Sequence, residues 1–372
     1  MKKRFLLFPA LILAFCLLCG FACAERETVE MCGTAFAADA SIISLRGMGE
    51  EDVDDFVLHA GEFTDLKTVY LGTEDSTSLS WESIARMEDA APEAEFLYYF
   101  TLYGRSYSLA ATELDLNHIT IDDQGELVRQ ILPCMKHLAY LDMDFCGVDN
   151  EHMAAIRDDF PNIKVVWRIW FGSQYSVRTD VEKILASQPS NGGMLYGTNA
   201  DALKYCTEVK YLDIGHNEEM TDISFVSYMP KLEVLIVAMS KITDISALSH
   251  CPELEYLEVQ TTRVEDLTPL IGLTKLRHLN ICDDFNLTDL SPVYSLTGLE
   301  RLWIGRYTPI PEEQVEIMQK LAPDCVINTT AVDPHDDWRW GNERYELLSQ
   351  QFGYAEAAYA FKWKDPLYNP HD

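Results

Sequence analysis

The chain has 372 residues, with 60 acidic against 29 basic side chains and a formal net charge of −31. So large a negative excess argues against nucleic acid and anionic membrane surfaces as partners. It fits a partner with basic groups, diffuse Ca²⁺ binding, or solubility alone. Of ten cysteines, the seven beyond residue 24 (Cys32, Cys134, Cys146, Cys206, Cys251, Cys282 and Cys325) have no CxxC spacing and an odd count, which describes neither a zinc site nor a disulfide framework.

At the N-terminus, "MKKR" supplies a positive start, "FLLFPALILAFCLLCGF" an apolar core and "ACA" a small-x-small cleavage signal. Residues 1–24 are therefore expected to be a signal peptide cut after Ala24. A lipid-anchor reading would use Cys23, but Gly20, Phe21 and Ala22 fit a lipobox poorly. Cleavage would remove Lys2, Lys3 and Arg4, so the mature charge becomes 26 − 60 = −34. No other apolar run approaches the roughly 20 residues of a spanning helix. An exported product without stable membrane insertion is expected.

Residues 25–205 read as an N-terminal cap followed by long, irregular repeats with inserted strands. "IISL" (42–45) and "VYL" (69–71) place Ile43 and Val69 26 residues apart. "LDL" (114–116) and "LDM" (141–143) place Leu114 and Leu141 27 apart. Between such strands, "EEDVDDFVLHAG" (50–61) and "DQGELVRQILPCM" (123–135) have helical spacing. A duplication runs through this half: 85–108 repeats as 154–176, with Pro92 and Pro161 69 residues apart. Each copy reads as a helix, a proline and an extended strand dense in aromatics, at 94–103 and 163–171. A truncated third copy, 316–330, surrounds Pro323. The stretch 177–205 reads as a helix and a Ser/Gly/Asn loop.

Residues 206–311 hold five units of 22–23 residues. "VKYLDI", "LEVLIV", "LEYLEV", "LRHLNI" and "LERLWI" share the form apolar-x-x-apolar-x-apolar, anchored by Leu212, Leu235, Leu257, Leu279 and Leu302. The alternation predicts short strands with one buried face, and strands one repeat apart can only run parallel. A second mark recurs in phase: Asp222, Asp244, Asp266 and Asp289, each followed by Ile or Leu. An acid there is placed to accept backbone N–H groups where the chain turns, so its role is architectural. Pro269 and Pro292 suit the first turn that follows.

These units resemble the short, internalin-like type of bacterial leucine-rich repeat, and the longer N-terminal repeats resemble its ribonuclease-inhibitor-like class. The ladder asparagine of the short repeats appears as Asn217, with Ser240 and Thr262 in the equivalent slots. The resemblance implies an α/β solenoid, with a curved parallel β-sheet on the concave face and helices and turns on the convex face. It also implies recognition of a protein or glycan through the concave sheet. Residues 312–372 would close the array as a C-terminal cap.

Catalytic signatures are missing: there is no GxSxG, no HExxH and no glycine-rich phosphate loop. Three acidic stretches, 50–55, 115–126 and 142–153, lack the ligand spacing of a calcium loop. A non-enzymatic protein without a cofactor is expected. The ligand-binding candidates are two concave columns. One runs Tyr140, Tyr211, Val234, Tyr256, His278 and Arg301; the other runs Asp142, Asp213, Ile236, Glu258, Asn280 and Trp303. Aromatics and an apolar centre within an acidic rim resemble interface composition, with Trp303 and Ile236 expected to be exposed. The alternative is a carbohydrate-binding or carbohydrate-processing surface built from the tail aromatics Trp338, Trp340 and Trp363 and the inserted strands.

Overall fold

The computed structural model describes residues 27–75, 77–172, 175–187, 195–332, 338–339 and 342–352. The expected leader with Cys23, residues 188–194 of the joining segment, and Trp340 and Trp363 lie outside the described residues. The chain divides into two compact units, Met1–Thr112 with Glu126–Leu138, and Glu113–Gly125 with Ala139–Asp372.

The first unit opens with a hairpin of β1 (Thr28–Met31) and β2 (Thr34–Ala37). Its sheet is ordered β3 (Ile42–Ser44), β4 (Thr68–Thr73), β5 (Glu95–Leu102) and β6 (Arg105–Ser108). The first three strands are parallel, and Ile43 pairs with Val69, the residues that the 26-residue spacing singles out. Helices α1 (Val53–His59) and α2 (Trp81–Ala90) connect these strands, and α3 (Glu126–Ile131) belongs to the same unit. Ser80 caps α2 by accepting the Ser83 N–H at 3.2 Å. Phe56, Val69, Leu71, Ile84 and Met87 are fully buried between helices and sheet.

The second unit begins with a three-stranded parallel sheet of β7 (Glu113–Asp115), β8 (Tyr140–Asp142) and β9 (Lys164–Val166). Leu114 pairs with Leu141, again as the spacing requires. Helix α4 (Asn150–Asp159) precedes β9, and Asp149 caps it through the His152 N–H at 2.9 Å. The two duplicated copies end alike. In one, β5 turns back antiparallel onto β6; in the other, β10 (Arg168–Phe171) turns back onto β11 (Tyr175–Arg178). The copies differ at Trp167, where the extended run breaks so that β9 joins the parallel sheet and β10 its own hairpin.

A seven-stranded parallel sheet follows: β12 (Lys183–Leu185), β13 (Tyr211–Asp213), β14 (Val234–Ile236), β15 (Tyr256–Glu258), β16 (His278–Asn280), β17 (Arg301–Trp303) and β18 (Val326–Asn328). The five leucine anchors lie in register across it and are fully buried. On the far side of each unit the recurring acid works as its position implies. Asp222, Asp244, Asp266 and Asp289 each accept the backbone N–H two residues on, at 2.7, 2.7, 2.7 and 2.9 Å. The next residues, Ile223, Ile245, Leu267 and Leu290, turn into the core. Helix α5 (Glu312–Leu321) then leads into β18, so the truncated third copy supplies one more strand.

One element differs from its sequence reading. The run "VEKILA" (181–186) forms strand β12 and not a helix, because Ile184 pairs with Leu212 at the sheet edge. Among the described residues no helix is long and apolar enough to cross a membrane.

Candidate functional site

Parallel register carries the concave columns directly. On one side of the leucine anchors, Tyr211, Val234, Tyr256, His278 and Arg301 stand side by side; on the other stand Asp213, Ile236, Glu258, Asn280 and Trp303. Ten of the twelve candidate residues therefore share one face. Tyr140 and Asp142 do not join them, since β8 belongs to the three-stranded sheet. There, Arg178 of the hairpin donates to the Tyr140 hydroxyl at 2.6 Å and to Asp142 at 3.0 Å. Arg178 and Arg168 both reach Asp144, at 3.3 and 3.2 Å, in an ion-pair cluster that ties hairpin to sheet.

The expected exposure of this face is corrected by the structure. Trp303 is 4% exposed and Ile236 2%, and Val234, Tyr256, Glu258 and Asn280 are fully buried. The cause is the chain's own C-terminal segment. Trp338 and Arg339 sit on the sheet, and helix α6 (Glu343–Phe352) packs Leu348 and Phe352 against it. Instead of only closing the end of the array, this segment lies across the face assigned to ligand.

Its contacts centre on Trp338, whose ring lies 5.4 Å from both Tyr256 and Trp303. The Arg301 guanidinium stands 4.4 Å from the Trp303 ring and 4.5 Å from that of Trp338, and donates to the Trp338 carbonyl at 2.9 Å. Towards the other edge, Phe352 meets Tyr211 edge-on at 6.2 Å. Gln351 donates to the Tyr211 hydroxyl at 3.1 Å and accepts from Lys183 at 2.8 Å.

Glu258 is the polar centre. Its carboxylate accepts four donors: the Tyr256 hydroxyl at 2.5 Å, Gln260 at 2.9 Å, the Trp338 indole N–H at 2.8 Å and Arg339 at 2.6 Å. Burial pushes its pKa up, but the Arg339 guanidinium, with the bonds from Gln260 and Tyr256, outweighs burial and holds it below the ordinary value. Glu258 is thus a buried anion that stays charged. Stripping the cation from such a pair costs about 3–5 kcal/mol, because the charge left behind is neither solvated nor paired. Nearby, burial first and then Arg301, Arg344 and Arg277 lower His278 to about 4, leaving the ring neutral near pH 7.

The remaining candidates are structural in their contacts. The Asp213 carboxylate accepts the Gly215 N–H at 3.0 Å and the Ser187 hydroxyl at 3.2 Å. Asn280 accepts the Cys282 N–H at 3.1 Å. In the acidic stretches weighed for calcium, Asp115 accepts the Asn117 N–H and Asp142 the Asp144 N–H, both at 2.9 Å. Among the described residues no group of three or more His, Cys, Asp or Glu side chains is placed to hold a metal. The seven described cysteines are unbridged, and all but Cys32 are buried. Trp338 is fully buried and points inward, away from any sugar platform.

Ten residues of the sequence columns form the sheet side of this face, and the sequence reading missed its cover, Trp338, Arg339, Tyr345, Leu348 and Phe352. The available signal was the alternation of aromatic, basic and apolar residues in an aperiodic tail.

No family model and no curated protein matches the chain. Among solved structures, an internalin from Listeria monocytogenes is 16% identical, covering 82% of this chain and 88% of its own, with a TM-score of 0.37. Internalin C2 of the same organism is 18% identical over 62% of this chain and 88% of its own, with a TM-score of 0.33. A leucine-rich-repeat protein of Leptospira interrogans is 17% identical over 72% and 74%, with a TM-score of 0.33. At these scores the fold rests on the chain's own geometry: parallel three-residue strands, leucine anchors in register and an acid-started turn in each unit. On that geometry the chain is a leucine-rich-repeat solenoid, and its likeness is to bacterial proteins of that kind.

Proposed function

We propose that the chain is an exported, non-enzymatic recognition protein that binds a polypeptide partner with basic groups through the concave face of its seven-stranded sheet. The observation that carries this reading is the occupant already on that face. A polypeptide segment fits it with an indole, a guanidinium and two apolar helix residues. Trp, Tyr and Arg gathered at a desolvated centre have the composition of an interface hot spot. Glu258 at that centre, with Glu255 beside it, favours a cationic ligand over an anionic one. Of the tail aromatics in the glycan alternative, Trp338 is buried against the sheet.

Capture experiments test the reading. The full chain and its Leu348→Ala/Phe352→Ala variant would serve as baits for secreted and surface proteins, with Glu258→Gln added to the second bait. Greater capture by the weakened-tail bait, lost with Glu258→Gln and reduced by salt, is the expected outcome. Equal capture by all three baits would move the binding surface off the concave face. Capture abolished by EDTA would point to calcium instead of Glu258.

A further inference from the structure

The tail on the concave face is more than a lid of apolar side chains, because the sheet beneath it is built around a charge that the tail alone neutralises. Of the four donors on Glu258, two (Tyr256 and Gln260) come from the sheet, and neither is a cation. The other two, the Trp338 indole and the Arg339 guanidinium, are consecutive residues of the tail. With the tail lifted, the Glu258 carboxylate keeps the Tyr256 and Gln260 donors and loses its indole and guanidinium partners. The face is matched by an occupant that brings an N–H donor on a flat apolar ring next to a cation.

The hold on the tail is small in extent. Among the described tail residues, Trp338, Leu348 and Phe352 are the buried side chains, whereas Leu347 on the same helix is 47% exposed. Segments anchored by few buried side chains open locally well before the fold around them unfolds.

Resting on the recognition reading above, we infer that residues 338–339 and 342–352 are a resident pseudo-ligand. The partner that displaces them is a foreign polypeptide segment carrying the same sequence chemistry, a tryptophan followed by a basic residue and then a short amphipathic helix. The solenoid is self-inhibited, and its apparent affinity is scaled down by the fraction of molecules whose tail has lifted. Charge complementarity sets the class of ligand. In a chain with twice as many acidic as basic residues, Arg339 is placed against the buried anion of the groove, and Arg344 stands 3.8 Å from Glu255 on its rim.

The probe is a fluorescent synthetic peptide with the sequence of residues 338–352, read by anisotropy against the full chain. Wild-type protein is expected to bind it weakly, and the Leu348→Ala/Phe352→Ala full chain about tenfold or more tightly. A peptide with alanine for Trp338 and Arg339 should lose that gain. So should Glu258→Gln in the weakened chain, by about thirtyfold or more. A second measurement needs no core substitution: a protease site introduced at 333–337 is cut after folding, and the peptide is added to the cut protein. Equal peptide binding by wild-type and opened chains would overturn the inference, as would binding indifferent to the Trp–Arg pair. It would also fall if the opened, folded chain ignored the peptide, or if opened chains exchanged tails into dimers that exclude it. Peptide binding as expected with no captured protein would instead sink the recognition reading alone. A protein captured on the concave face without peptide binding would sink only the tail-mimic chemistry.

Discussion

Asp284 shows how one residue can depart from its repeat and leave a measurable trace. Asn217 occupies the ladder slot of its unit, donating to the carbonyls of Ala186 at 3.0 Å and Ile214 at 2.8 Å. The slot recurs five residues after the next three leucine anchors, as Ser240, Thr262 and then Asp284. Asp284 accepts from the Thr262 N–H at 2.7 Å and hydroxyl at 2.8 Å through one oxygen, while its other oxygen is buried without a partner. Burial pushes its pKa up to about 8, against the bonds from Thr262. The folded state therefore keeps a proton that the unfolded chain gives up above about pH 4. Its contribution to stability is complete below that pH and is lost as pH climbs through 8, on the order of a few kcal/mol. Asp284→Asn keeps the shape and supplies a permanent amide donor. Urea titrations should show the variant gaining stability over wild type at pH 8 and little at pH 4; a gain that did not grow with pH would contradict the assignment. The 22-residue spacing made this slot legible, but its protonation depends on burial, which spacing does not record.

At the scale of the element, the repeat is a three-residue strand, a left-handed residue and an acid-started turn. The left-handed position falls four residues after each of the first four anchors, at His216 (φ 59°), Met239 (55°), Thr261 (57°) and Asp283 (59°). Thr261 is the misfit, since a β-branched side chain crowds the backbone there. Thr261→Asn is expected to raise stability by roughly 0.5–1 kcal/mol, because asparagine tolerates this region. A lower Tm for that variant would show that the threonine makes a compensating contact. Asp244→Ala should act in the opposite sense, costing about 1 kcal/mol by freeing the Ser246 N–H. Chemical denaturation would measure it, and no change would mean water caps that turn equally well. Most elements were readable because anchors and acids share one period. Strand β12 was not, although Val181, Ile184 and Ala186 repeat the apolar-x-x-apolar-x-apolar form. Its anchor stands 28 residues before Leu212, outside the period of the units that follow, and "VEKILA" also suits a helix.

Over the whole molecule, periodicity describes what each repeat buries against its neighbours and is silent on where an aperiodic segment docks. The concave columns were assigned correctly to one face for ten residues, yet their exposure was not, because α6 and Trp338 come to them from beyond the array. A solenoid's stability is a sum of units and their shared interfaces, so the sheet and its cover need not unfold together. The anchors Leu235, Leu257 and Leu279 are enclosed by strands on both sides, whereas α6 is held by one apolar edge, the peripheral contacts of Gln351 and Arg344, and the Glu258 contacts of the residues before it. Native-state hydrogen exchange should therefore find residues 343–352 opening at far lower free energy than β14–β16, which exchange only with larger unfolding. Glu258→Gln should lower protection in α6 further and leave the anchor strands unchanged. Equal protection in α6 and the central strands would make the tail part of the cooperative core, and the concave face would then be a closed interior with no site to offer.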